Sequence, residues 1–559
     1  MPNRYLRGTG ARNWNDTANW SDVSGGTGGA SVPTSADNVI WDNNSGIGTI
    51  TVNAIANMLD FTCSNIGALT LSNAAYAFNV FGSLTLHNSL TVNFTSTGYL
   101  YMKATDSRTI TTNGKVANWN RLYFDGVGGT WSNQDDMNFT GTNTYHSNGT
   151  LNTNGWVIRL LEMYRSPGSF TYNLSSSTIY CVWINQYAST INAGTSTIIS
   201  NGAFYSVGTA TYYNVTINSP RSGNGLAGTN TYNNFTINGD ASILSYIPVT
   251  GTHTINGALI IAGSNASNYR LLIASNSIGK SRTITCNGTV TAINVDFRDI
   301  TLAGTCNKDL SSITGGSGDC GGNSGIVFTT AQPQYFKKYA STANYGDTAN
   351  WFSDLDLTVA GRVPLPQDLG SKFIATSFDR TCTVSCNVPR IPCLDMSEIV
   401  NTVGFNLANA LEVYGGFRYN STYVTVSGNF LITCDIHGKI VQTPLYLGVA
   451  TTFVNNFNVI LSNTIAELII DSGRKVRFTA GTTQTIGKIT YGSGITQDCV
   501  TAGTYNLALT EIATAENINI KGCVVTQDSK LFAEANSVDS GSNNRVVFGD
   551  YFTVQEIIL

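Results

Sequence analysis

Apolar and polar residues alternate along most of the chain in short runs that end at Asn-Gly or Asn-x-Gly. Residues 108–114 (RTITTNG) and 282–288 (RTITCNG) are two such runs. Apolar residues at every second position indicate strands with one buried face, and Asn-Gly is the usual signal for a sharp turn. Helical periodicity is nearly absent, so the pattern predicts an all-β protein.

The strand pattern also repeats along the chain. Residues 211–218 (TYYNVTIN) recur 20 residues later as 231–238 (TYNNFTIN). Short strands at a period of roughly 20 residues, with Thr- and Asn-rich faces and Gly at the corners, favour a parallel β-helix in which each coil pairs with the next. A uniform period predicts roughly 20 to 28 coils about 4.8 Å apart. A string of antiparallel β-sandwiches is the alternative, since it uses strands of the same length.

A longer repeat divides the chain into two parts. The blocks 15–20 (NDTANW) and 32–37 (VPTSAD) reappear in the same register as 346–351 (GDTANW) and 363–368 (VPLPQD). The closing blocks 323–328 (NSGIVF) and 543–548 (NNRVVF) also match. The sequence therefore predicts two tandem β-solenoid-like modules, residues 1–330 and a shorter 331–559.

Each module opens with a tryptophan-containing block that we interpret as an N-terminal cap, about residues 5–45 and 335–380. The first coil of a solenoid has an open edge and an open core end that need covering. Bulky rings would fill the core end, and Asp and Asn would bind backbone in the turns. The alternative is a glycan-binding role for the tryptophans, which are Trp14, Trp20, Trp41 and Trp351.

The composition and charge of the chain argue against two classes of partner, nucleic acids and membranes. Only 11% of residues are charged, the net charge is −4, and no basic run is present. Nucleic-acid binding needs clustered Lys and Arg, so we expect no nucleic-acid partner. No stretch reaches the roughly 18 apolar residues of a membrane span and no signal-peptide pattern opens the chain, so we expect no membrane insertion. Met1 at the start favours cytoplasmic synthesis and release by assembly and lysis.

The sequence carries few signs of a catalytic or metal-binding site. The four histidines fit no nucleophile or metal motif, and there is no GxSxG, HExxH or P-loop, so we expect a non-enzyme with no cofactor. The eleven cysteines lack disulfide or zinc-finger spacing and are expected to be reduced core residues. A metal site at Cys382, Cys386 and Cys393, with Cys434 and His437 later in the chain, is the alternative.

Carboxylate pairs leave an enzymatic alternative open. Glycoside hydrolysis needs two carboxyl groups roughly 5 to 10 Å apart, which adjacent coils can supply. The candidate pairs are Asp135 with Asp136, Asp296 with Asp299, and Glu511 with Glu516.

The opening block, Asn19-Trp20 followed by Val32-Pro33 and Asp37, and the closing block 319–326 (DCGGNSGI) resemble repeat proteins of bacteriophage structural gene clusters. The openings also resemble those of bacterial β-solenoid adhesins. The phage resemblance implies a virion structural protein, a surface appendage or decoration of the tail-fibre or spike kind. The implied partners are other virion proteins, cell-surface polysaccharide and further copies of the chain, for example in a trimer. The alternatives are a secreted, cell-surface adhesin and a polysaccharide-degrading β-helix enzyme.

Overall fold

The computed structural model describes most of the first module and a smaller part of the second. The described residues are 1–94, 98–117, 119–139, 143–165, 168–187, 189–202, 204–218, 225–240, 246–264, 270–277, 280–337, 341–374, 382–386, 388–396, 398–407, 411–414, 417–419, 423–427, 432–437, 440–441, 445–447, 456–460, 463–470, 475–499, 502–526 and 530–548.

The structure is nearly all β, with 54% of residues in strands. The described residues contain no α-helix, and each cap contains one 3-10 turn, Thr17–Asn19 and Thr348–Asn350. The strands of the first module are Asn3–Leu6, Gly10–Asn13, Trp20–Ser21, Asn38–Trp41, Gly48–Val52, Ala56–Met58, Phe61–Cys63, Leu69–Asn73, Ala77–Val80, Leu84–Thr85, Thr91–Phe94, Tyr99–Met102, Ser107–Thr111, Arg121–Asn133, Met137–Phe139, Asn143–Asn152, Val157–Leu160, Glu162–Arg165, Phe170–Asn173, Thr178–Cys181, Trp183–Tyr187, Thr190–Asn192, Thr197–Ser200, Phe204–Val207, Thr209–Asn218, Thr229–Asn238, Tyr246–Val249, Thr252–Ile255, Ala258–Ala262, Leu271–Ser275, Arg282–Cys286, Thr289–Ile293, Val295–Arg298, Ile300–Ala303 and Ser317–Asp319.

The second module has the same kind of short strand. These are Pro333–Phe336, Thr342–Asn344, Trp351–Phe352, Gly370–Phe373, Cys382–Cys386, Arg390–Ile391, Leu394–Met396, Val403–Leu407, Leu411–Val413, Phe417–Tyr419, Val424–Ser427, Ile432–His437, Ile440–Val441, Leu445–Leu447, Asn456–Ile460, Asn463–Ile470, Lys475–Phe478, Thr483–Tyr491, Thr496–Cys499, Tyr505–Leu509, Ala513–Ala515, Asn519–Ile520, Cys523–Val525, Leu531–Ala533, Val538–Asp539 and Val546–Phe548.

Strands from successive coils pair in parallel, so the chain forms a parallel β-solenoid of about 17 turns. The predicted fold class is confirmed. The predicted coil count is too high because coils vary in length and several are longer than the repeat at 211–238. Asn214 pairs with Thr197 in the coil before it and with Asn234 in the coil after it, and the earlier coil is the shorter one. Ala258 pairs with Thr289 across a much longer coil.

Polar ladders stabilise the outer faces of the coils. Asn173 donates to the Oδ1 atom of Asn152 and accepts from Asn192, both at 2.7 Å. Stacked amides of this kind satisfy one another from coil to coil, as they do in other stacked β structures. The Asn-rich composition is therefore a consequence of the repeated coil.

The predicted caps are present and share one geometry. In each cap the first strand pairs antiparallel with the tryptophan strand, bringing Leu6 opposite Trp20 and Phe336 opposite Trp351. The indole Nε1 of Trp20 donates to the carbonyl of Trp14 at 2.7 Å, and that of Trp351 donates to the carbonyl of Tyr345 at 2.7 Å. These equivalent bonds explain why the blocks recur with the same spacing.

The apolar core follows the axis of the solenoid in two main clusters. One runs from Leu6 to Leu310 and the other from Phe336 to Ala533. A third, small cluster joins Leu272, Ala274 and Cys320 to Tyr414, so the last coils of the first module pack against the second module.

Candidate functional site: a lateral tyrosine face

Three neighbouring strands of the first module present tyrosines on one outer face of the solenoid. The strands Tyr99–Met102, Arg121–Asn133 and Asn143–Asn152 are paired in parallel and in register. Side chains alternate between the core and solvent along each strand. The half-buried outward residues are Tyr99, Tyr101, Arg121, Tyr123 and Tyr145, which we call the tyrosine face.

The rings of the tyrosine face stack from coil to coil. Tyr101 and Tyr123 have ring centroids 4.6 Å apart, and Tyr123 and Tyr145 are 4.7 Å apart, with interplanar angles of 15° and 12°. Tyr99 contacts Tyr123 edge-on, with centroids 5.8 Å apart. Aromatic pairs in these arrangements contribute about 0.5–1.5 kcal/mol beyond area burial. The stack therefore fixes the rings in a rigid row.

Arg121 completes the row with a positive charge. Its guanidinium carbon lies 5.1 Å from the ring centre of Tyr99 and 5.7 Å from that of Tyr145. A hydrogen bond to Tyr123 raises the pKa of Arg121. Burial, followed by the nearby Tyr123 and Tyr99, raises the pKa of Tyr101. The hydroxyl of Tyr101 therefore stays protonated at neutral pH and is able to donate a hydrogen bond.

The edge of the tyrosine face carries further polar groups and a bulge. Lys103 places its amine 5.1 Å from the ring centre of Tyr101, and Asp125 accepts a hydrogen bond from Asn148 at 3.0 Å. The register shifts between Phe124 and Thr130, and Val127 in this bulge is 75% exposed. Bulges re-aim side chains and are common next to binding sites, and this one exposes Val127 directly after the strand segment that carries Tyr123.

The tyrosine face was not predicted from the sequence, although the spacing of its tyrosines carries a signal. Tyr101, Tyr123 and Tyr145 follow one another at equal intervals close to the coil length, and Tyr99 stands two positions before Tyr101. Residues one coil apart lie side by side in a solenoid, so this spacing predicts a stack once the coil length is known.

The four tryptophans predicted as glycan-binding residues are corrected by their burial. Trp14, Trp20 and Trp41 have no exposed surface, and Trp351 has 1%. Trp14 packs edge-on against Trp20 with centroids 4.8 Å apart. A ring without exposed surface offers nothing for a sugar to stack on. All four act as cap and core residues, the other interpretation of the opening blocks.

The cysteines of the alternative metal site are not assembled into a set of ligands in the described part of the chain. Cys382 and Cys386 are buried on one strand, and Cys393 is half-buried just before the strand Leu394–Met396. Across the described residues, no group of three or more His, Cys, Asp or Glu is positioned to hold a metal ion. The side chains of Cys434 and His437 lie outside what the structure describes.

Two of the proposed carboxylate pairs have structural partners. Asp135 accepts from the backbone N–H of Thr112 at 2.8 Å, and Asp136 accepts from that of Val157 at 2.9 Å. Asp296 and Asp299 are 0% and 1% exposed. Asp296 and Asp299 therefore offer no surface to a polysaccharide, whereas Asp135 is half-buried and Asp136 is exposed, and each holds a backbone N–H group of a neighbouring segment.

Only one member of the third pair, Glu516, lies in a groove with another carboxylate. Glu511 and Glu516 are both exposed, but Glu516 shares a groove of about 240 Å³ with Glu534 and Tyr491, and Glu511 is not part of its lining. Ala515 and Ala533 pair in register, which places Glu516 and Glu534 on neighbouring coils.

The fold and the lateral face together define a parallel β-solenoid protein with a polar aromatic surface. The chain matches no protein-family model, no curated protein and no solved structure. Within the described part of the chain, no helix is long and apolar enough to cross a membrane.

Proposed function

We propose that this chain is a non-enzymatic structural protein of a virion surface, a decoration or appendage, that attaches to cell-surface polysaccharide through the tyrosine face. The stack of Tyr101, Tyr123 and Tyr145 with Arg121 carries the proposal. Tyr rings are apolar with a hydroxyl that donates and accepts, and a guanidinium offers donors in a fixed fork. This combination suits a chain of polyhydroxylated rings.

The surroundings of the face support a ligand of low charge. The chain is rich in Asn, Thr, Ser and Gly, and only 11% of its residues are charged. The face places one stacked tyrosine, Tyr101, Tyr123 or Tyr145, on each of three successive coils, so an extended polymer would meet similar contacts from coil to coil. A secreted cell-surface adhesin would use the same face, so the location of the chain separates these two proposals.

The binding half of the proposal is tested with the purified full chain on an array of bacterial polysaccharides. Replacing Tyr101, Tyr123 and Tyr145 together with Ser removes the aromatic surface while keeping outward, polar positions. We expect binding to weaken by at least about 100-fold, because three lost anchors at roughly 1 kcal/mol or more each sum to about 3 kcal/mol. Tyr180→Ser is the matched control, because Tyr180 is also half-buried beside an arginine, Arg159 at 4.8 Å, but lies in a different sheet.

Unchanged binding by the triple variant, with wild-type circular dichroism, would contradict this role for the face. The virion half of the proposal is tested separately, by tracing the chain in cryo-EM maps of particles from its native source. A regular copy number on particles supports the proposal, and its presence only in a cell envelope favours the adhesin.

A second candidate function is polysaccharide cleavage in the groove of Glu516, Glu534 and Tyr491. Neighbouring coils bring two glutamates to one groove, the minimum that glycoside hydrolysis requires. Release of reducing ends by the wild-type chain but not by Glu516→Gln would establish this function. No release from any polysaccharide that the chain binds would exclude it.

A further inference from the structure

A cavity of about 370 Å³ lies where the end of the first module meets the cap of the second. Its walls come from the loop around Ser311 to Gly316, from the second cap at Arg362 to Leu365, and from Val388 of the following coil. Small-molecule sites commonly have volumes of roughly 300–1,000 Å³ and lie at domain interfaces. The cavity has both properties.

The cavity has apolar walls and a cationic end. Ile313, Val363, Pro364, Leu365 and Val388 supply the apolar surface. Two arginines, Arg270 and Arg362, are the charged residues in its lining, and no carboxylate among the described residues lines it. An apolar body with a single anionic group matches this distribution.

The charge behind the cavity is unbalanced. Asp296 accepts from Nε of Arg270 at 2.6 Å and from Nε of Arg390 at 2.7 Å, so one carboxylate serves two guanidiniums. The arginines are 5% exposed and the aspartate 0%. Glu412 also acts on Arg390 but is shared with Arg298 at 4.0 Å, so three guanidiniums face two carboxylates. Burying a surplus charge is costly, so an anion near Arg270 would be stabilising. Arg362 is already paired with Asp368 and adds no surplus.

Arg270 also retains a donor. Its Nη2 atom donates to the carbonyls of Val295 and Gly316, at 2.8 and 2.9 Å. Within the described residues its Nη1 atom makes one hydrogen bond, to the carbonyl of Gly315 at 2.6 Å. Guanidinium nitrogens of this kind carry two hydrogens, so Nη1 has one left for an acceptor.

We propose that the junction cavity binds a small organic anion, a carboxylate on an apolar body, with the carboxylate at Arg270. Such a ligand would contact both modules at once and hold them together. This site is independent of the tyrosine face, and its success or failure does not bear on polysaccharide binding.

The test titrates the full chain with benzoate and with its neutral counterpart benzamide, using ligand-observed NMR. We expect a benzoate Kd on the order of 1 mM, as for a small fragment. Benzamide should bind about 10-fold more weakly, because its carbonyl accepts a hydrogen bond from Arg270 without bringing a negative charge to the guanidinium. Equal binding of the two would overturn the anion assignment, and no benzoate binding would overturn the site.

A pair of variants locates the binding. Ser312 is exposed at the rim of the cavity, so Ser312→Phe should block it and abolish benzoate binding. Thr314→Phe is the matched control, since Thr314 is exposed on the same loop and does not line the cavity. Both variants should keep the wild-type melting temperature without ligand. Benzoate binding that survives in Ser312→Phe would place it elsewhere and overturn the proposal.

Discussion

The Asp296 carboxylate accepts a hydrogen bond of 2.7 Å from Nε of Arg390, which lies 94 residues further along the chain. Asp296 belongs to the strand Val295–Arg298 of the first module, and Arg390 to the strand Arg390–Ile391 of the second. Arg390 also donates to the carbonyl of Arg270 at 2.6 Å. The two modules are therefore joined by a buried ionic cluster as well as by the chain.

We predict that Asp296→Asn destabilises the protein by about 3–5 kcal/mol, because it leaves two buried guanidiniums without their carboxylate. Urea unfolding followed by tryptophan fluorescence measures the change. Asp106→Asn is the control, since Asp106 pairs with Arg108 at the surface, where ion pairs are worth roughly 0–1 kcal/mol. Equal effects of the two substitutions would show that the buried cluster is not a major source of stability.

A second prediction concerns the cap. Trp20 is fully buried and donates its indole N–H to the carbonyl of Trp14. Trp20→Ala removes a large ring from a packed site and should lower the free energy of unfolding by about 3–5 kcal/mol. Urea unfolding measures this change. Trp156→Ala should cost less than about 1 kcal/mol, because Trp156 is 40% exposed.

Trp20→Phe separates packing from hydrogen bonding in the same cap. It keeps an aromatic ring but leaves the carbonyl of Trp14 without the indole donor. We therefore expect a loss of stability smaller than that of Trp20→Ala and larger than that of Trp156→Ala. A loss no larger for Trp20→Ala than for Trp156→Ala would contradict the role of Trp20 in closing the first coil.

The repeats made the fold predictable, but not the contacts between modules. The long repeat of the opening blocks is visible in the sequence because both caps need the same turn, indole bond and buried ring. Asp296 and Arg390 follow no period, since they meet where one solenoid packs sideways on another. The four tryptophans left two interpretations open, and only their burial decided between them. Predicting the tyrosine face from the sequence requires the local coil length, and that length varies along the chain.

A third prediction concerns pH. His253 is 1% exposed, and burial lowers its pKa to about 4, below the value of about 6.5 expected in the unfolded chain. The unfolded state therefore binds the proton first as the pH falls. The stability that neutral His253 contributes is complete above pH 6.5 and is lost between about pH 6.5 and 4, to a total of about 3 kcal/mol.

Unfolding free energies measured between pH 7 and 4 test this expectation. His253→Gln should flatten the decline in that range, because Gln does not titrate and is able to donate to the carbonyl of Leu226 in place of Nε2. His87→Gln, at a half-buried turn position, is the control and should follow the wild-type curve. If the two variants have the same pH dependence, His253 is not the source of the acid sensitivity.

The last prediction concerns thiol reactivity. The ten cysteines with described side chains are all free, and eight of them are buried. Burial raises the pKa of Cys63, Cys386 and Cys523 to about 12 in each case. The thiolate is the reactive form, so these thiols are both inaccessible and protonated at pH 8.

Labelling with iodoacetamide at pH 8, followed by peptide mass spectrometry, should therefore separate the cysteines by position. Cys499 is half-buried at the end of a strand, and it should be modified in the native protein while Cys63, Cys386 and Cys523 are not. All four should react after unfolding in guanidinium chloride. Modification of Cys63 as fast as Cys499 in the native state would mean that the first coils open readily, which their fully buried tryptophans argue against.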